Sequence, residues 1–437
     1  MNTPNTSGPD PIPAVPHRPF DQHGQVDNAA TESLLEVPAV KVETAELARS
    51  VVAELAARYQ DAADERPWVV AFSGGKDSTL VAHLVCEAIK RVRPSRRTRP
   101  VLILSSDTQV ETPAIEQFVA EQLDAIQTGS RAVNLPITSH LVRPELHETF
   151  WVRLIGYGYA APTRNFRWCT DRLKIRPSNT FLRQLISRHG GALVLTGSRF
   201  AESGARAASL RKHTAQSVVN PHSTIKGAYL WPVIRHFTTE QVWEYLALTP
   251  APWGGHHRRL QNLYKEANSG ECAVALDETT QPCGNSRFGC WTCTVVKRDK
   301  SIEGFIGSGH DDYAGLAAFR DWLCELRDNP KRYREPIRRN GRPGNGPLTL
   351  DVRAQVLDRL LDLQADVGHQ LISPEEIAVI KQVWISDRLI DPPELPQIDD
   401  PHDAGHTDEE TRRSVVVDLP MPTIGAVGRT AGEDRRR

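Results

Sequence analysis

Ser73-Gly74-Gly75-Lys76-Asp77-Ser78 places two hydroxyls, two glycines, a cation and a carboxylate in six consecutive positions. Glycines let backbone amides approach an anion, and a helix opening here would add free N–H groups and the positive end of its dipole. The chemistry that follows is phosphate binding, although the spacing is not that of a Walker A loop. A second group is Cys272, Cys283, Cys290 and Cys293, in the pattern C-x10-C-x6-C-x2-C. Four soft thiolates on Gly-rich turns close one tetrahedral site, and zinc and a [4Fe–4S] cluster both fit that donor set. Cys169 stands apart, with Arg167, Arg172 and Lys174 around it. Those cations predict a depressed thiol pKa and a thiolate populated near neutrality.

The elements that position these groups follow from the apolar spacing. Val69 to Phe72 reads as a buried strand, and Leu80, Val81, Leu84 and Val85 recur at helical spacing, so the Ser73–Ser78 stretch joins a strand to a helix. Val101–Leu104 and Ala192–Leu195 are further buried strands, and Glu111–Ile126 reads as a helix between them. Strand, helix and strand at this spacing imply right-handed parallel crossovers, hence a doubly wound α/β sheet. Ligands bind such sheets at the carboxyl ends of the strands. That end carries Asp107, in Ser105–Pro113, and Gly197 and Arg199, followed by Glu202, Ser203 and Arg206. Asp107 suits either a nucleotide contact or the N-cap of the next helix.

The rest of the chain divides by composition. Residues 1–40 are Pro-rich and aperiodic and read as a disordered arm, and 391–437 as a disordered tail. Between them lie 41–250 as the α/β domain, 251–300 as a Cys-rich segment and 301–390 as a helical region. Helices are expected over 41–63, 314–329, 348–363 and 374–384, with Thr238 and Gln241 as a capping box for a helix carrying Trp243 and Leu246. Lys plus Arg is 53 against 54 for Asp plus Glu, so any nucleic-acid contact must use local patches. Two candidates are Phe150–Arg176, rich in cations and rings, and Lys331–Arg342, with six cations in twelve positions. The first would equally suit a triphosphate, and either is consistent with a solvated basic loop. No apolar run of 18 residues is present, and no secretory leader is seen. Four of seven cysteines crowd into 22 positions, which points to a metal site in a reducing cytoplasm.

SGGKDS resembles the phosphate loop of the PP-loop ATP pyrophosphatases. The order SGGKDS, RWCTDRLK, GSRFAES, Leu230-Trp-Pro-Val-Ile234 and Val242-Trp-Glu-Tyr-Leu246 is similar to their PAPS-reductase-like branch. Gly270-Glu-Cys272 and Cys283-Gly-Asn-Ser-Arg-Phe-Gly-Cys-Trp-Thr-Cys293 resemble the DndC sulfurtransferase family of bacterial DNA phosphorothioation. That resemblance implies an enzyme that adenylates a DNA backbone phosphate with ATP and Mg2+, releases pyrophosphate and installs sulfur. It implies that Ser73, Gly74, Gly75 and Ser78 cradle phosphate and that Lys76 neutralises it. Asp77 would help hold Mg2+, Asp107 and Gly197 would border the nucleotide, and Arg199 and Arg206 would stabilise the transition state. The four clustered cysteines would carry a [4Fe–4S] cluster, leaving Cys169 to bear sulfur or to ligate the cluster. Implied partners are DNA, a cysteine desulfurase and sibling phosphorothioation proteins. A sulfonucleotide reductase and a non-catalytic nucleotide-sensing DNA-binding subunit are the competing readings.

Overall fold

Strands with two buried faces need apolar residues on both, and Trp68–Ala71 (β1), Val101–Ser106 (β2) and Ala192–Thr196 (β4) supply them up to their carboxyl ends. In the computed structural model, which describes residues 39–201, 217–268, 288–389 and 416–417, these strands lie side by side in register. Trp68 pairs with Val101 on one flank and Leu193 on the other, all parallel. Ile137–Val142 (β3) extends the sheet beyond β2 and Ala228–Pro232 (β6) beyond β4, again in parallel. Asn220–Pro221 (β5) and Val416–Val417 (β7) pair antiparallel at the two edges, giving the order 5-6-4-1-2-3-7. The chain moves outward from β1 through β3, then crosses back to place β4 on the other side of β1. This reversal makes a crevice at the carboxyl ends of β1 and β4.

The two faces of the sheet are covered separately, as doubly wound packing requires. Trp68, Val70, Val101, Ile103, Leu193 and Leu195 face Val42–Tyr59 (α1), Lys76–Arg91 (α2) and Pro113–Ala132 (α3). Val69, Leu102, Leu104 and Val194 point the other way, onto Phe181, Leu182 and Leu185 of Arg176–His189 (α4). This alternation is the period-two signature of strands. Each fully buried Leu such as Leu80 or Leu84 contributes about 1.5–3 kcal/mol by leaving water. Thr238 and Gln241 form the expected capping box at the start of Thr239–Leu248 (α5), and Trp243 and Leu246 are buried.

Arg258–Glu266 (α6), Lys300–Gly307 (α7), Tyr313–Asp328 (α8), Leu350–Val367 (α9) and Pro374–Leu389 (α10) complete the described helices of eight residues or more. The last two grip Val152–Gly156, a wide π-type turn. Trp151 Nε1 donates to Leu371 O (2.7 Å), Trp384 Nε1 to Ile155 O (2.9 Å) and Arg353 Nη1 to Gly156 O (2.6 Å). The 150–176 stretch, expected as a loop, is thus largely helical turns, with a second π-type turn over Asp171–Ile175. Wide turns of this kind shift side chains round the helix axis and recur at functional sites. Among the described residues no helix is long and apolar enough to cross a membrane.

Candidate active site

Gly74 has φ +72°, and a Cβ there would stand 2.6 Å from Val119 Cγ2, so only glycine fits the turn leaving β1. Gly75 occupies the N-cap of α2, which leaves the amides of its first turn facing the crevice. The loop is braced from within. Ser78 Oγ accepts from Ser73 N (3.2 Å), lies 3.3 Å from Ser73 Oγ and donates to Gly75 O (2.9 Å). A cleft of about 710 Å3 opens over it, walled by Ser73, Gly75–Ser78, Ser105–Asp107, Glu111, Arg143, Lys174 and Gly197–Arg199.

Each cation on this wall has a carboxylate partner. Asp77 receives Lys76 Nζ on Oδ2 (3.1 Å) and Arg199 Nε on Oδ1 (2.8 Å). Arg199 is only 2% exposed, and its remaining nitrogens reach Phe237 O (3.2 Å) and Thr239 Oγ1 (3.3 Å). Gly197 permits this clamp: a Cβ there would lie 3.0 Å from the Asp77 carbonyl carbon. Both Asp77 oxygens thus receive cations, and the carboxylate ties Lys76 and Arg199 together at the loop. Asp107 accepts Gln109 N (2.8 Å) and Arg143 Nε (2.7 Å). It therefore closes its own loop, and the N-cap position of α3 belongs to Thr112 instead.

Beside the Glu111 and Lys174 side of the cleft lie three thiols. Glu111 bridges backbone-wise to Cys290, accepts Thr108 Oγ1 (2.5 Å) and pairs with Lys174 Nζ (3.7 Å). Thr108 Oγ1 also lies 3.4 Å from Cys290 Sγ. Burial and the adjacent Glu111 push the Cys290 thiol up to about 12. Burial works against the Lys174 charge, yet Cys290 and Glu111 beside it hold its pKa above the ordinary lysine value. The Cys169 thiol is raised, first by burial and then by neighbouring Cys293, so the expected depression is overturned. The reason is that the surrounding cations are spent elsewhere: Arg172 is bonded to Glu148, Lys174 pairs with Glu111, and Arg167 points to solvent.

Cys169, Cys290 and Cys293 are thus electrostatic neighbours, although Cys169 stands far from the others in sequence. Cys272, Cys283 and Arg206 lie outside the described residues. Among the described residues no three ligating side chains converge on a metal site. Cys86 is buried as expected of a core helix residue, and Cys324 is half-buried. Arg143, Thr239, Tyr264 and Phe288 also line the cleft without having been singled out in the sequence. Arg143 follows β3, a strand whose mixed Ile-Thr-Ser-His-Leu-Val pattern hides its burial. Tyr264 comes from α6, and no local signal ties it to the phosphate loop.

Comparison with known proteins locates this arrangement. Residues 67–296, more than half of the chain, match the phosphoadenosine phosphosulfate reductase domain. An uncharacterized protein of Methanocaldococcus jannaschii is 26% identical over 233 residues, which is 53% of this chain and 37% of that protein. The chain therefore spans little more than a third of that relative's length. Among solved structures, PAPS reductase from Candida auris in a phosphate complex is 16% identical over 48% of this chain and 87% of that one, with a TM-score of 0.30. FMN adenylyltransferase from Candida glabrata, with FMN and the ATP analog AMPCPP, is 11% identical over 58% and 73%, with a TM-score of 0.31. The matched span begins just before β1 and runs past Cys293, enclosing the phosphate loop, the Arg199 clamp and Cys169, Cys290 and Cys293 alike, and the chain belongs to the phosphoadenosine phosphosulfate reductase domain family.

Proposed function

We propose that this protein is a cytoplasmic ATP-dependent sulfurtransferase that adenylates a DNA backbone phosphate and replaces a non-bridging oxygen with sulfur. The observation carrying this reading is that the cleft over the phosphate loop is lined by Glu111 and Lys174, whose charges neighbour the thiols of Cys169 and Cys290. A non-bridging phosphodiester oxygen attacks the α-phosphorus of ATP, and the α–β bridging oxygen leaves with the electron pair as pyrophosphate. Ser73, Gly75, Ser78 and the first amides of α2 hold the departing phosphates, and Lys76 offsets their charge. Asp77 keeps Arg199 aimed at the loop, with Mg2+ entering as part of the nucleotide complex. Asp107 and Gly197 border the nucleotide.

The terminal sulfur of a persulfide on Cys169, supplied by a cysteine desulfurase, then attacks the activated phosphorus, and AMP leaves with the P–O electrons. A second thiol cleaves the remaining S–S bond, releasing the phosphorothioate and leaving a disulfide for an external thiol to reduce. Cys272, Cys283, Cys290 and Cys293 are the residues that would hold a [4Fe–4S] cluster. The CxxC half forms a closed turn, in which Cys293 N donates to Cys290 O (3.0 Å). A bound cluster would supply a soft, sulfur-binding surface beside Cys169. DNA, the desulfurase and sibling phosphorothioation proteins are the proposed partners.

The test is DNA-dependent pyrophosphate release from ATP in the presence of cysteine and a desulfurase. Lys76→Ala is expected to slow it by about 100-fold or more, with sulfur incorporated into wild-type product DNA. Sulfite release from a sulfonucleotide, with no pyrophosphate from ATP, would place the protein among reductases instead. Iron and sulfide analysis after anaerobic purification, with loss of both in Cys290→Ser, tests the cluster.

A further inference from the structure

Helix α6 is tied to the phosphate-loop helix at two points. At its start, His257 Nε2 is 2.9 Å from His83 Nδ1 of α2. Near its end, the Tyr264 hydroxyl accepts the Lys76 backbone N–H at 3.3 Å. That N–H belongs to the first turn of α2 and is one of the amides that an N-terminal phosphate site offers. The same hydroxyl stands 3.4 Å from where a Cβ on Gly75 would sit, and Lys76 Nζ lies 5.8 Å from the ring centroid. Tyr264 is 4% exposed and has little freedom: Trp243 packs edge-on at 4.7 Å and Phe288 lies at 4.3 Å. Phe288 lines the same cleft and is two residues from Cys290.

Resting on the nucleotide reading above, we infer that Tyr264 is a positioning residue that occupies the Lys76 amide until a nucleotide phosphate takes it. The hydroxyl oxygen sits where a phosphate oxygen would accept the same hydrogen, and two acceptors compete for one donor. Filling the loop moves the hydroxyl aside, and the packed ring passes that movement to Phe288 and the segment carrying Cys290 and Cys293. Occupancy of the phosphate end is thereby reported at the thiol end. The coupling needs no large rearrangement, because the ring contacts are already made.

Tyr264→Phe keeps the ring and removes only the competing oxygen. Calorimetry on the full chain with inorganic pyrophosphate and with ATP is expected to show about two- to ten-fold tighter binding in this variant, the range for losing one neutral hydrogen bond from the unliganded state. Hydrogen exchange of peptides spanning residues 72–80 gives an independent readout. Exchange at the Lys76 amide is expected to be faster in unliganded Tyr264→Phe than in wild type, and equal in both once pyrophosphate is bound. Equal affinity and equal exchange in the two proteins would overturn the inference and leave the nucleotide reading intact. Weaker binding by the variant would also overturn it, making the hydroxyl a donor to phosphate. Failure of the wild type to bind either ligand would bring down both readings together.

Discussion

At the phosphate end of the cleft, six consecutive residues supply most of the groups, whereas the thiol end, beside the lining residues Glu111 and Lys174, is assembled from Cys169, Cys290 and Cys293. The first end exposes amides and pairs every cation with a carboxylate, so its charges are positioned by short ion pairs. The second end half-buries its thiols, and burial raises the pKa of Cys169 and Cys290. A local motif can be specified by backbone geometry alone. A remote assembly depends on the packing that brings its parts together, and it fails when a single anchor is removed.

Glu148 is that anchor, and it carries the largest expected effect. It is 7% exposed, accepts Arg153 Nη2 at 2.5 Å, bonds Arg172 and lies 3.8 Å from Arg176 Nη1. Glu148→Ala leaves buried guanidinium groups facing one another at the root of the Cys169 segment. Urea denaturation is expected to show a loss of about 3–5 kcal/mol, the cost of orphaning buried charges. If the two ends are as separate as their construction implies, the surviving folded protein still binds pyrophosphate with wild-type affinity. Loss of that affinity in folded Glu148→Ala would break the distinction.

Arg199→Ala probes the other end and is expected to act on rate more than on stability. Removing a buried cation aimed at departing phosphate costs about 100- to 1000-fold in turnover, by analogy with other preorganised transition-state donors. The measurement is pyrophosphate release at saturating ATP. A variant that loses affinity for ATP while keeping its turnover number would mean that Arg199 holds the ground state instead. The reactivity of Cys169 toward a thiol reagent is expected to be unchanged in Arg199→Ala and increased in Glu148→Ala.

The same contrast explains what could be read from the chain. Ser73–Ser78 declares itself because chemistry, turn and flanking periodicity coincide in one stretch, and β1, β2, β4 and α2 follow from uninterrupted apolar patterns. β3 does not, because Thr138, Ser139 and His140 are polar, although Ser139 is buried with its hydroxyl on Leu123 O. The wide turn at 152–156 is illegible because its shape is imposed by α9 and α10, which lie 200 residues downstream. The Cys169 pKa departs from the sequence expectation for a related reason. Sequence shows which cations are near in the chain, and only the fold shows that Glu148 and Glu111 have already claimed them.

The smallest expected effect concerns the link between the two ends. His257 opens α6, is 4% exposed and is bonded to His83, whose other nitrogen lies 3.2 Å from Glu87 Oε1; Tyr245 OH donates to Glu87 Oε2 at 3.1 Å. Burial, then the adjacent His83 and His256, pushes the His257 pKa down to about 3. Between that value and an unfolded histidine pKa near 6.5, the unfolded chain binds a proton that the native chain refuses. Stability from this site is therefore complete above about pH 6.5 and falls as the pH drops toward 3, by about 2 kcal/mol between pH 7.5 and 5. His257→Gln, which keeps a hydrogen-bonding group but cannot titrate, is expected to flatten this slope in urea titrations at the two pH values. Glu148 acts in a lower window. Burial alone would raise its carboxyl pKa, but Arg153 and Arg172 hold it below the ordinary 4.5, so its contribution persists at pH 5 and is lost only as acid overtakes the depressed value. A single acid transition shared by wild type and His257→Gln would mean that α6 is no separate link, and that the cleft unfolds as one unit from the thiol end.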